Sequence, residues 1–210
     1  MNSKKHYIVT TTDHNPLYYE FLPGVYKMWK KHNPDCIFVL GYIGPYDENH
    51  DIVKKLKKYC DEFYSFKNIN YMHPGIQAKV TRMFLSSNYL DNICTIVDID
   101  LYMIDYNWFY NKIKSAFTDH KFVSVGINQY YNTDHEGKWP MSNTTAPSYI
   151  FKRLSNPNNL DYNEWFESLK QIKDPIDDKE CPFNHFNAFS DESLLRYFVI
   201  KDINYMRNIW

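Results

Sequence analysis

The stretch Ile93-Cys94-Thr95-Ile96-Val97-Asp98-Ile99-Asp100 constrains this chain more than any other. Five residues, apolar except for Thr95, run straight into two carboxylates one residue apart. A continuous apolar run of this length reads as a strand buried in the middle of a sheet. Two acids at the end of such a strand are costly unless something there needs them. The stretch therefore points to a metal and diphosphate site at the carboxyl edge of a parallel sheet.

The segments around it alternate between strand and helix. Tyr7–Thr12 is an apolar, β-branched first strand, ended by Asp13-His14-Asn15-Pro16. A helix is predicted from Leu17 to Lys31, with Asn15 as cap, Pro16 in the first turn and Asn33-Pro34 as its stop. Cys36–Gly41 is a second strand. Ile52–Phe63 reads as a Lys-rich helix burying Ile52, Val53, Leu56 and Tyr59, and Phe63–Phe66 as a short third strand. Pro74-Gly75 opens a helix reaching about Tyr89. Ile76, Val80, Met83 and Phe84 share its apolar face, and Lys79 and Arg82 share a different one.

Beyond the acidic strand, Tyr106–Thr118 is predicted as a helix and Phe122–Gly126 as a strand. Asn128–Ser148 has no periodicity and contains Tyr130, Tyr131, His135 and Trp139. A loop of that length in a compact domain usually serves function. Tyr149–Phe151 reads as a late strand and Tyr162–Lys173 as a helix. Ser190 caps a last helix, Asp191–Ile200, which buries Leu194, Leu195 and Phe198. This order predicts an α/β fold of βαβ units with a mostly parallel sheet flanked by helices.

Composition narrows the function classes. At 210 residues, a single domain spanning residues 1–210 is expected. A formal net charge of −1 leaves no electrostatic footprint for nucleic acid or an anionic membrane. Nor does any window resemble a membrane span or a secretory leader. Cys36, Cys60, Cys94 and Cys181 are scattered, which fits free thiols and a cytoplasmic protein. In that compartment the Asn143-Thr144-Thr145 sequon would be idle. The aromatic content is high, with 19 Tyr, 14 Phe and 5 Trp. That suits carbohydrate, whose C–H faces pack on rings, and equally a nucleotide bias in the gene.

Several residue groups carry candidate chemistry, each beside a plainer reading. In a strand Asp98 and Asp100 would point to the same side and hold one hard divalent cation, Mg²⁺ or Mn²⁺, bridging two phosphates. The plainer reading is a pair of solvated acids at a strand end. Lys79 and Arg82 would stabilise a departing diphosphate, or form an ordinary solvated helix face. Thr10, Thr11, Thr12 and Asp13 suit a nucleotide base and ribose, or β propensity followed by a polar turn. Asp191 and Glu192 would face the sugar carbon under attack, or complement the dipole of their own helix. His185 is a candidate third metal ligand or diphosphate contact. No G-x-x-x-x-G-K-[ST], G-x-G-x-x-G or G-x-S-x-G is present, so the P-loop, Rossmann-cofactor and α/β-hydrolase readings lose their main support.

Assembled in this order, the chain from Tyr7 to about Ile200 resembles a GT-A glycosyltransferase. The resemblance rests on a first strand ending at Asp13, the basic pair Lys79/Arg82, and an apolar strand ending in Asp98-Ile99-Asp100. Phe189-Ser190-Asp191-Glu192-Ser193-Leu194-Leu195 is similar to the H-D-E-S helix start of the blood-group A/B-type retaining transferases, with Ser190 where that family has His. The match implies that Asp191 touches the acceptor and Glu192 lies beneath the anomeric carbon. The compact length resembles the glycosyltransferase domains with which large chlorella viruses decorate capsid glycoprotein. The resemblance implies a GT-A fold and metal-dependent transfer of a hexosyl or deoxyhexosyl unit from a nucleoside diphosphate sugar, a UDP-sugar foremost. The acceptor would be a glycan or glycoprotein, and the anomeric configuration would be retained. It also implies that the two acidic pairs converge. Two rivals are a haloacid dehalogenase-type phosphatase, against which Leu101-Tyr102 after Asp100 counts, and a nucleotide-sugar-binding module without catalysis.

Overall fold

The computed structural model describes residues 4–125, 142–170, 194, 195, 197–199 and 202. Its first strand, β1 (His6–Asp13), is followed by α1 (Pro16–Tyr19), α2 (Leu22–His32) and β2 (Ile37–Ile43). Next come α3 (Asp51–Lys57), β3 (Glu62–Phe66), α4 (Pro74–Ser86) and β4 (Ile93–Ile96). The remaining elements are α5 (Tyr106–Thr118), β5 (Val123–Ser124), β6 (Thr144–Pro147), α6 (Ser148–Ser155) and α7 (Tyr162–Leu169). Among the described residues the strands form one sheet in the order β3-β2-β1-β4-β6-β5. β1 pairs in parallel with β2 and β4, and β2 with β3, while β6 runs antiparallel to both β4 and β5. This is an α/β fold with a mixed, mostly parallel sheet, in a Rossmann-like arrangement.

Alternation along the strands builds two cores. Tyr7 and Val9 of β1, Val39 of β2 and Cys94 and Ile96 of β4 face a core shared with α4, α6 and α7. Ile8, Phe38, Leu40 and Tyr42 face the opposite core, with Leu22, Val25 and Trp29 of α2, Leu56 of α3 and Phe109 of α5. Because helices cover both faces, every residue of β1 is buried. Each fully buried large side chain contributes about 1.5–3 kcal/mol, so β1, β2 and β4 carry most of the sheet's stabilisation, and β3, whose residues are half-buried or exposed, adds less. The two half-buried residues of β5 add little. No described helix is long and apolar enough to cross a membrane.

Local departures from the expected elements have local causes. The predicted helix over 17–31 is two helices, because Pro23 lies in the first turn of α2. Inside a continuous helix its ring would clash with the carbonyl four residues earlier. The predicted helix over 52–63 ends at Lys57, since Glu62 and Phe63 pair with Val39 and Leu40 in the sheet. Tyr149–Phe151 is helical within α6, and the late strand lies just before it, at Thr144–Pro147. Its buried Thr144 and Thr145 take the sequon into the sheet. Three apolar residues cannot distinguish strand from helix, whereas pairing with β4 does. The acidic strand is shorter than expected. Its ladder ends at Ile96, and a turn closed by Leu101 N–H donating to the Asp98 carbonyl follows. Leu194, Leu195 and Phe198 are buried, as the apolar pattern predicts.

Candidate functional site

Chain order reverses between β1 and β4. The first three strands build outward on one side of β1, and the fourth returns to its other side. In open α/β sheets such a switch point leaves a crevice beyond the carboxyl ends, where ligands bind. By that rule a ligand would lie here between Asp13, at the end of β1, and the Val97-Asp98 segment that continues β4. Val97 N–H still donates to the Val9 carbonyl at 3.0 Å, which fixes the two ends side by side.

On the β1 side Asp13 is buried and accepts a hydrogen bond from Asn15 N–H at 3.0 Å. Its Oδ2 lies against the first turn of α4, 3.4 Å from the place a side chain on Gly75 would occupy. The Thr11 hydroxyl donates to the Ala78 carbonyl of α4, and that of Thr12 to the Asp13 carbonyl at 3.1 Å. Thr10 Oγ1 is buried with no hydrogen-bond partner among the described residues. Thr11 thus ties strand to helix and Thr10 faces the interior, leaving Asp13 as the polar group at this strand end.

On the β4 side Arg82 reaches Asp98. Arg82 is only 2% exposed. Its Nη1 donates to the Asp98 carboxylate and, at 3.1 Å, to the Val97 carbonyl, while Nε donates to the Lys79 carbonyl at 3.0 Å. The Asp98 side chain stays half-open to solvent. Asp98 N–H donates to Ser142 Oγ at 3.2 Å. Burial works against the Asp98 carboxylate, but the Arg82 guanidinium, the Ser142 hydroxyl and the Lys79 charge outweigh it and hold its pKa below the usual carboxylate range. Asp100, in the turn that follows, is exposed.

Two expectations change here. Asp98 and Asp100 do not share a side through strand alternation, because the ladder stops at Ile96 and they sit in a turn. Lys79 and Arg82 do not share a solvated face. Lys79 is exposed, and Arg82 turns under the strand end, where Asp98 compensates its charge. Ser142 had no signal in the sequence. It lies within the aperiodic stretch Asn128–Ser148 and becomes a neighbour of Asp98 only through the β4–β6 pairing.

The other candidates, His185, Asp191 and Glu192, lie outside the described residues, as do Tyr130, Tyr131, His135 and Trp139. The expected convergence of the two acidic pairs lies outside them too. Leu194 and Leu195, just past Glu192, are buried in the core that holds Val80 and Met83 of α4. Among the described residues no three His, Cys, Asp or Glu side chains cluster for a metal. Asp100 and the second oxygen of Asp98 are hard oxygen donors at the crevice, and a magnesium-type ion commonly takes one or two carboxylates plus substrate phosphates. The donor set therefore fits such an ion held jointly with a diphosphate. No protein-family model matches the sequence, and no curated protein matches it significantly.

Proposed function

We propose that the protein is a metal-dependent glycosyltransferase of the GT-A type. It would transfer a hexosyl or deoxyhexosyl unit from a nucleoside diphosphate sugar, a UDP-sugar foremost, to a glycan or glycoprotein, with retention. The observation that carries this reading is the buried Arg82 paired with Asp98 at the β1/β4 switch point, next to the exposed Asp100. A charge pair there is costly to desolvate and adds little to stability by itself. It would set the two carboxylates where the donor diphosphate binds.

In this reading Asp100, with Asp98 beside it, would hold Mn²⁺ or Mg²⁺, which when bound supplies positive charge to a leaving diphosphate. Arg82 is a positioning residue that locks the Asp98 turn through the Val97 carbonyl. Lys79, exposed one turn before Arg82, would face the diphosphate. Asp13 would receive the nucleoside. Asp191 and Glu192 would act on the sugar side and His185 on the metal or diphosphate. A reducing cytoplasm suits the free thiols of Cys36, Cys60 and Cys94, and a viral capsid glycoprotein is the acceptor that the resemblance favours.

The phosphatase rival needs the first acid of the pair as an unencumbered nucleophile, yet Asp98 is held by Arg82. The non-catalytic module differs only in turnover. The test is a thermal-shift panel of UDP-, GDP- and dTDP-sugars with and without Mn²⁺. A ligand that binds only the folded state raises the melting temperature. A metal-dependent rise with one nucleotide class is expected, together with slow donor hydrolysis. No metal-dependent shift with any donor would overturn the proposal.

A further inference from the structure

The loops after β1 and β4 meet outside the crevice in a patch of aromatic side chains that the core does not use. α1 buries none of its residues, and Leu17 and Tyr18 stand exposed. Phe21 and Tyr102 meet edge to face with ring centroids 6.4 Å apart, yet remain 41% and 48% exposed. The Tyr102 ring is seated on the backbone of Gly24 in α2. A side chain there would come within 2.1 Å of the Tyr102 hydroxyl and 2.8 Å of its ring carbons. The bare glycine therefore makes room for the hydroxyl end of a ring that stays about half exposed. Tyr102 follows Asp100 by two residues, so the ring is covalently tied to the candidate metal-binding turn.

We propose that Tyr102, seated on Gly24 and braced by Phe21, is a platform for the apolar face of an acceptor sugar. This rests on the transferase reading. A pyranose offers a C–H face to a ring and hydroxyls to its surroundings. Asp100, exposed two residues before Tyr102, supplies a carboxylate as hydrogen-bond acceptor for hydroxyls, whereas Glu20 is paired with Lys55 at 2.8 Å and Asp105 caps α5 by accepting from Trp108 N–H at 3.0 Å. An anionic lipid surface wants uncompensated Lys and Arg around its aromatic anchors, whereas Lys55 beside this patch is already paired with Glu20 and Asp100 is acidic. Trp108 is exposed as well, but Lys112 lies over its ring at 5.6 Å, so that face is already covered. Tyr102 is thus the ring presented on a rigid support next to the acidic turn, at little entropic cost to a ligand.

The test is saturation-transfer NMR with the methyl glycosides of glucose, galactose, xylose, rhamnose and fucose. Wild type, Tyr102→Ala, Tyr102→Phe and Gly24→Val would be compared after circular dichroism shows that each is folded. At least one glycoside should receive saturation through the C–H protons of one face. The signal should persist in Tyr102→Phe and vanish in both Tyr102→Ala and Gly24→Val. With a transferable donor, Tyr102→Ala should raise the acceptor KM about tenfold and leave donor hydrolysis unchanged. No transfer with any glycoside, or transfer indifferent to Tyr102 and Gly24, overturns the platform. So does a wild type that self-associates in sedimentation while Tyr102→Ala does not, because the patch is then a protein interface. Glycoside binding at Tyr102 without consumption of any nucleotide sugar keeps the platform and removes the transferase. Donor consumption with an unaltered acceptor KM in Tyr102→Ala does the reverse.

Discussion

Strands β1 and β4 carry two buried polar arrangements, one towards each end. Towards their amino ends lies His6, buried between the edges of Trp29 and Phe117. Asn33 donates to its Nδ1 at 3.0 Å, so Nε2 carries the proton and donates to Thr95 at 2.7 Å. Thr95 in turn bonds Thr145 at 2.8 Å, which links β1, β4 and β6. At the carboxyl ends lie Arg82 and Asp98, charged, half-open and followed by the exposed Asp100. Both arrangements satisfy buried polar atoms. The neutral chain is closed on itself and serves the fold. The charged pair keeps its carboxylate half-open to solvent at the carboxyl ends of the strands. Buried polarity alone therefore does not single out a candidate site; an accessible charge at a strand end does.

The largest effect should separate the two ends by pH. Burial lowers the His6 pKa from 6.5 to about 3. The unfolded chain then binds a proton below pH 6.5 that the folded chain refuses, so stability falls with acidity from there down to about pH 3. The slope approaches about 1.4 kcal/mol per pH unit, which sums to about 3 kcal/mol between pH 6.5 and 4. Urea midpoints should show it, and His6→Gln should flatten the curve over this range. Asp98 works in a lower window. Its depressed pKa gives stability that is present above the ordinary carboxylate pKa and lost only as pH falls below it. An unchanged slope in His6→Gln would assign the acid sensitivity elsewhere.

Asp98→Ala comes next. It takes the Asp98 carboxylate from the buried Arg82 guanidinium, which keeps its bonds to the Val97 and Lys79 carbonyls, at a cost of about 1–3 kcal/mol after discounting for the half-open carboxylate. Equilibrium denaturation measures this, and a loss under 1 kcal/mol would mean that water already compensates Arg82. Thr95→Val should cost about 1–2 kcal/mol, because His6 Nε2–H loses its acceptor in the core. Its effect on nucleotide-sugar binding should be nil, and any change there would blur the contrast between the two ends. Asp100→Ala should be the smallest in stability, within about 0.5 kcal/mol, since the side chain is exposed. It should nevertheless abolish the Mn²⁺-dependent thermal shift. A shift that survives would move the metal away from this turn.

Much of the molecule is legible from local pattern. Tyr7–Thr12 and Cys36–Gly41 read as strands because apolar, β-branched runs bounded by turn residues admit little else, and Tyr106–Thr118 matches α5 at both ends. The acids at the end of β4 stand out for the same reason. The errors come where two local signals compete. Pro23 both starts α2 and interrupts the apolar periodicity of a longer helix. Phe63 fits the face of α3 as well as the ladder of β3. The segment Thr144–Pro147 is polar and proline-terminated, yet it forms the antiparallel strand against β4.

Periodicity and residue type by themselves determined the alternation of strands and helices from β1 to β5, apart from the break at Pro23, the burial of the strand at Ile93–Ile96 and the position of Asp98 and Asp100 after an apolar run. These are properties of neighbours a few residues apart. Only the tertiary structure decided that β4 returns beside β1, that β6 enters against it, and that Arg82 turns inward to Asp98 while Lys79 stays in water. Those outcomes depend on pairings across 16 residues for Arg82 and Asp98 and 44 for Asp98 and Ser142. A helical face looks solvated from its own sequence until the chain supplies the opposite charge from elsewhere. That pairing turns an isolated acidic motif into a supported turn at the carboxyl end of the sheet.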